Sequence, residues 1–197
     1  ISVDAQAALA EMKRADSQAR MVSGHFPLSC VEEAGGHWHT FTLLRHPLDR
    51  VLSALKRQSD RDSGETMQSI YNNPLRFHLL FDNHMVKMLG VAPDEIDVGI
   101  FSPVRPERRH LDRAMAALQQ CDVIGVQEDF DAFCQRLECT FDWTLGERLA
   151  VNRASEHDVP DELVERIRAD NQLDLELYAC ALQILGLAAD EHGRPTA

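Results

Sequence analysis

Two short stretches of this chain bring together residue types that do chemistry. In Leu43-Leu44-Arg45-His46-Pro47-Leu48-Asp49-Arg50, a guanidinium follows an apolar run, and the Ser53 hydroxyl comes eight residues after it. A planar guanidinium fork and a hydroxyl converging near a helix N-terminus make a site for a phosphate. The same spacing also fits a surface Arg in a salt bridge and a Ser facing solvent. The second stretch is Ser23-Gly24-His25-Phe26-Pro27. Gly24 permits close backbone approach, and Pro27 fixes the chain just past His25. A His held this way can act as a general base near neutral pH. A hydrogen-bonded structural His carries the same signature.

Positioning Arg45 and Ser53 requires a strand and a helix. Thr40-Phe41-Thr42-Leu43-Leu44 reads as a strand buried on both faces. Leu48, Val51, Leu52 and Leu55 fit the i, i+3, i+4, i+7 template of an amphipathic helix. Pro47 suits its start, and Lys56 and Arg57 suit its positive-favouring end.

Around this strand-turn-helix unit the pattern predicts a polar helix over 1–19, a short strand at Arg20-Met21-Val22-Ser23 and a turn from Glu32 to His37. Pro74 is expected to open an apolar helix running through Leu89 and closed by Gly90. An extended piece is expected within Ile96 to Pro103, and a helix from Pro106 through Gln120. Val123-Ile124-Gly125-Val126 reads as a second buried strand, with a helix from Asp129 to about Cys139. Pro160 starts another helical segment, and Leu173, Leu177, Ala181 and Leu185 line one face of the last helix. Strands alternating with helices imply an α/β domain with a small parallel sheet, in which helix outweighs strand. One domain over 1–187 and a polar, frayed tail over 188–197 are expected.

Composition narrows the partners. The chain has 197 residues, 44% hydrophobic and 26% charged, enough for one sizeable core. Its net charge of −12 argues against nucleic acid or an anionic membrane as a partner, yet leaves room for one small basic pocket. The five cysteines are irregularly spaced with no C-x-x-C, the usage of reduced, mostly buried thiols in a cytoplasmic setting. No run approaches the ~18 apolar residues of a membrane span.

Taken together, Gly24-His25-Phe26-Pro27 and the run from Phe41 to Ser53 closely resemble the PAPS-dependent sulfotransferases of the carbohydrate O-sulfotransferase type, which include heparan sulfate 2-O-sulfotransferases and bacterial relatives. Their pattern is a G-H-[FV] segment followed by F-x-x-L-R-x-P-x-x-R-x-x-S. Similar landmarks follow at Asn83 to Gly90, Val123 to Glu128, Asn152, and Asp174 to Tyr178, so the resemblance covers about Met21 to Ala181. It implies a P-loop-NTPase-like three-layer fold. It implies Arg45 and Ser53 as ligands of the 3′-phosphate of PAPS (3′-phosphoadenosine 5′-phosphosulfate), and His25 as the base that deprotonates an acceptor hydroxyl, on a carbohydrate or glycolipid-like molecule. No metal is implied. The family's Lys/Thr/Gly-rich phosphosulfate loop, with its preceding strand, has no counterpart in these 197 residues. Residue 1 is Ile, and the loop is expected upstream of it. The alternative is a catalytically inactive nucleotide-binding or interaction module.

Weaker candidates remain. Arg153 beside Asn152 is a possible second phosphate contact, and Asn83 and His84 could face an acceptor. His37 and His39 near Cys30 lack a carboxylate or second Cys at zinc-ligand spacing. Arg105, Arg108, Arg109 and Arg113 could greet an anionic acceptor or form a solvated helix face. Arg45-His46 after a strand is also similar to histidine phosphatases, with Pro47 in place of their Gly. The two Trp, two Tyr and eight Phe offer no clear sugar-stacking platform.

Overall fold

The computed structural model describes residues 10, 12–14, 21–24, 26–61, 64–92, 95, 104–146 and 159–196. Its first labelled element is the short helix α1 (Ser29–Ala34), which takes up the start of the turn expected at Glu32. The chain reverses at Gly35 and Gly36, whose φ values of 67° and 83° lie where side chains are disfavoured. Strand β1 (Phe41–Leu44) and helix α2 (Pro47–Arg61) form where expected, with Leu48, Val51 and Leu55 buried. But β1 is not buried on both faces, because Leu43 is exposed where the strand lines a cavity. Helix α3 (Met67–Asn72), which the hydrophobic pattern missed, begins at Thr66, whose hydroxyl accepts the Ser69 N–H at 3.1 Å. Met21, Val22 and Ser23 form no strand. A strand needs a ladder partner, and among the described residues β1 pairs only with β2.

The apolar helix expected from Pro74 to Leu89 is broken. One turn, α4 (Pro74–Arg76), runs into a π-helical stretch at Phe77–Phe81, and helix α5 (His84–Gly90) starts afresh. The break lies at Asn83, whose φ of 41° is left-handed, a conformation Asn tolerates better than most residues. Tertiary hydrogen bonds from Asn171 and Asp174 to this segment override its helical pattern. Helix α6 (Arg108–Gln120) starts two residues later than Pro106 suggested. Then come β2 (Val123–Val126), a 3₁₀ turn at Gln127–Asp129, α7 (Phe130–Phe141), α8 (Asp161–Asp170) and α9 (Gln172–Leu185).

The two strands are parallel, with Phe41 opposite Val123 and Leu44 opposite Val126. Their alternation divides the core. Leu44, Ile124 and Val126 pack with Met85, Leu111, Leu177 and Tyr178 of α5, α6 and α9. On the other face, Phe41 and Val123 pack with Phe133 and Leu137 of α7. Gly125 admits the Phe133 ring where any Cβ would collide with it. A third cluster seats Val51 and Leu55 of α2 against Ile70, Tyr71, Phe81 and Ile167. Each such buried aliphatic side chain contributes about 1.5–3 kcal/mol. The fold is helix-rich α/β with a small parallel sheet. No helix among the described residues is long and apolar enough to cross a membrane.

Candidate functional site

β1 ends at Leu44, so Arg45 and His46 form the bend into α2. This bend is pinned from far along the chain. The His46 N–H donates to Glu128 Oε1 at 2.9 Å, just past the end of β2. Tyr178 of α9 donates its O–H to the other Glu128 oxygen at 2.8 Å, and its ring meets His46 edge-on with centroids 5.5 Å apart. With both carboxylate oxygens engaged, Glu128 sets where β1 exits and where Arg45 stands.

The C-terminal segment closes over the same bend, so the expected fraying gives way to an ordered turn. Asp190 Oδ1 accepts the N–H groups of His192 and Arg194, each at 2.8 Å, and Ala189 bridges to Pro195. Arg194 reaches Asp49 Oδ1 of α2 at 2.8 Å, and the His192 carbonyl lies 3.1 Å from His46 Nε2. Because a carbonyl only accepts, Nε2 carries the His46 proton. Burial lowers the His46 pKa, so the ring is held neutral. His46 is 1% exposed, with one ring nitrogen on a carbonyl. That position does not suit the nucleophile of a histidine phosphatase, which must meet its substrate.

A cavity of about 1490 Å³ lies along β1 and α2, and both Arg45 and Ser53 line it. The structure thus brings together the two residues that spacing singled out. Among the described residues, Arg45 makes no ion pair with a carboxylate. Arg50 also lines this wall, with Nη1 donating to the Leu80 carbonyl at 3.0 Å. Desolvation lowers the Arg50 pKa to about 10, so it remains charged at neutral pH.

Behind Arg50 lies a buried polar network that the sequence only hinted at. Asp174 accepts the N–H groups of Met85 and Val86 at 3.1 and 2.9 Å, satisfying the open start of α5. Desolvation raises its pKa to about 6, against the pull of Arg50. Asn83 is buried here, its side chain donating to the Asp170 carbonyl at 2.8 Å and accepting the Asp174 N–H at 3.0 Å. This settles Asn83 as a structural hub, whereas His84 lines the cavity.

The far end of the cavity is aromatic. Phe41, Phe141 and Trp143 meet with centroid separations of 4.9 to 6.0 Å, and His39 packs on Phe141 at 5.7 Å. Sequence reasoning saw no such platform because Phe41 and Trp143 are distant in the chain. His39 Nδ1 lies 3.0 Å from Asp122 Oδ1, and Asp122 Oδ2 accepts the Thr40 N–H at 2.8 Å. These bonds hold the Asp122 carboxyl below its ordinary pKa, the backbone one most strongly. A carboxylate therefore does reach His39, although no group of three or more metal-ligating side chains gathers among the described residues.

The remaining predicted residues fall elsewhere. His25, Asn152 and Arg153 lie outside the described residues, while Ser23, Gly24 and Phe26 line the cavity. Arg108 pairs with Glu176 at 2.5 Å, and Arg109 with Glu95 at 2.7 Å, so this part of the basic group is neutralised within the fold. The five cysteines are free thiols, two of them buried and Cys139 exposed. No protein-family model, curated protein or solved structure matches the chain.

Proposed function

We propose that this chain carries the donor-phosphate pocket of a PAPS-dependent sulfotransferase acting on a hydroxyl of a carbohydrate or glycolipid-like acceptor, in a P-loop-NTPase-like three-layer fold. The observation that carries the reading is the placement of Arg45 and Ser53 on one cavity wall, at the carboxyl end of a parallel strand, with the Arg45 charge unclaimed by any carboxylate among the described residues. Ligands of open α/β sheets bind at that end of the strands. The start of α2 adds a favourable dipole for an anion.

In this reading the Arg45 fork and the Ser53 hydroxyl grip the 3′-phosphate. His25 accepts the proton of the attacking hydroxyl. The acceptor oxygen bonds to sulfur in line as the bond from sulfur to the 5′-phosphate oxygen breaks, releasing adenosine 3′,5′-bisphosphate. A cytoplasmic setting agrees with the five free thiols. The second reading is a nucleotide-binding or interaction module without catalysis.

Calorimetry with adenosine 3′,5′-bisphosphate, paired with mass spectrometry of carbohydrate acceptors incubated with PAPS, tests both. Binding with transfer supports the enzyme, and binding without transfer supports the module. If Arg45→Ala binds the bisphosphate as tightly as the parent chain, the phosphate assignment is wrong.

A further inference from the structure

The cationic wall of the cavity extends beyond one phosphate. Arg50, Ser53 and Arg57 of α2 are spaced i, i+3, i+7, a single stripe on a helix face, and all three line the cavity with Arg45 at its head. From Arg50 to Arg57 the helix rises roughly 10 Å, nearly two turns.

The outer charge of this stripe, Arg57, and the Arg45 charge at its head make no ion pair among the described residues, in a chain of net charge −12, while Arg50 faces the buried Asp174. Elsewhere several arginines pair with carboxylates: Arg76 with Glu65, Arg108 with Glu176, Arg109 with Glu95, Arg166 with Asp170, and Arg194 with Asp49. Arg61, Arg105, Arg113 and Arg136 make no ion pair among the described residues and, unlike Arg45 and Arg57, do not line the cavity. Among the described residues, Arg45 and Arg57 have no such partner. Arg50 spends one donor on the Leu80 carbonyl and feels the attraction of the buried Asp174 behind it. Among the described residues its other N–H groups find no acceptor yet are not sealed from solvent. The repulsion of Arg57 and Arg45 contributes to the lowered Arg50 pKa, so the three charges feel one another. Two carboxylates also line the cavity near them. Asp49 is committed to Arg194, and Asp60, one turn past Arg57, makes no ion pair with it. Three like charges on one cavity wall, of which Arg45 and Arg57 carry no ion pair among the described residues, form an anion site.

We infer that Arg50 and Arg57 form a second oxyanion subsite, continuous with Arg45 and Ser53, so that the cavity takes ligands with two phosphate- or sulfate-type groups one to two helical turns apart. The inference rests on the phosphate reading of Arg45 and Ser53. The second oxyanion comes either from the nucleotide's own 5′ side or from an anionic group on the acceptor.

The test is calorimetry on the full chain at fixed ionic strength with inorganic tripolyphosphate, adenosine 3′,5′-bisphosphate and adenosine 3′-monophosphate. The exposed Arg57 is the residue to change, since Arg57→Gln leaves the core intact. The expected result is a loss of about tenfold or more in tripolyphosphate affinity for Arg57→Gln, with the monophosphate unchanged, whereas Arg45→Gln weakens all three. A matching loss for the bisphosphate places the second group on the nucleotide. An unchanged bisphosphate affinity places it on the acceptor. A parent chain that does not bind tripolyphosphate, or an Arg57→Gln variant that binds it equally well, overturns the inference. Tripolyphosphate binding that depends on Arg57, without any nucleotide binding, keeps the subsite and removes the sulfotransferase reading.

Discussion

Tyr178 and Glu128, fifty residues apart in the chain, share a 2.8 Å hydrogen bond beneath the bend that carries Arg45. Tyr178→Phe strands one oxygen of a carboxylate whose other oxygen holds the His46 N–H. The expected cost is about 1–3 kcal/mol, read as a lower urea midpoint. Affinity for adenosine 3′,5′-bisphosphate should fall with it, because the bend loses a pin. An unchanged midpoint would show that Glu128 holds the bend without help.

Under the proposed function, Arg45 and Ser53 bind ligand rather than build the core. Arg45→Ala is expected to weaken adenosine 3′,5′-bisphosphate binding by about ten- to a hundredfold, the worth of a charge-assisted hydrogen bond. Ser53→Ala is expected to cost about fivefold, as one neutral hydrogen bond does. Thermal midpoints without ligand should stay near the parent value for both, and the ligand-induced rise should shrink. A large drop in the unliganded midpoint for Arg45→Ala would make it a structural residue instead.

Asp174 gives the stability profile a definite sign. Its folded pKa is raised from 3.8 to about 6, so the folded chain holds this proton more tightly than the unfolded one. Its contribution to stability is therefore fully present below about pH 4 and is lost as pH rises through about 6. Asp174→Asn removes that slope, which urea titrations at a series of pH values will detect. Asp174→Ala removes the acceptor for two N–H groups of α5, at about 1–3 kcal/mol for each. A parent-like slope in Asp174→Asn would assign the titration to another group.

Gly90 ends α5 directly against α6, where a Cβ would lie on the His110 backbone carbonyl. Backbone cannot swing aside as a side chain can. Gly90→Ala is expected to cost more than about 3 kcal/mol or to prevent folding, seen as lost cooperativity in thermal unfolding. A variant that melts like the parent would mean that α5 and α6 slide apart easily.

The local half of this architecture was legible in the sequence. β1, α2, β2 and α9 each bury a contiguous pattern, and Pro47 and Pro160 mark where helices begin. Arg45 and Ser53 were legible for the same reason, being eight residues apart across one bend. What pattern reading missed depends on contacts distant in sequence. The break at Asn83 is imposed by Asn171 and Asp174. The pinning of His46 depends on Glu128, Tyr178 and His192. The Asp122 contact with His39 joins groups from either side of the sheet's crossover. The stripe of arginines was visible as residues, but that Arg45 and Arg57 lack ion-pair partners among the described residues is a property of the fold alone.

The ordered tail has a practical consequence. His192 and Arg194 grip His46 and Asp49 across about 145 residues of chain, so the last residues of this sequence belong to the bend that carries Arg45 as much as Pro47 does. Trimming the chain at 188, or fusing a tag in place of the Asp190 turn, is equivalent to editing the pocket. A shortened protein that binds nucleotide poorly would report a lost latch rather than a lost ligand.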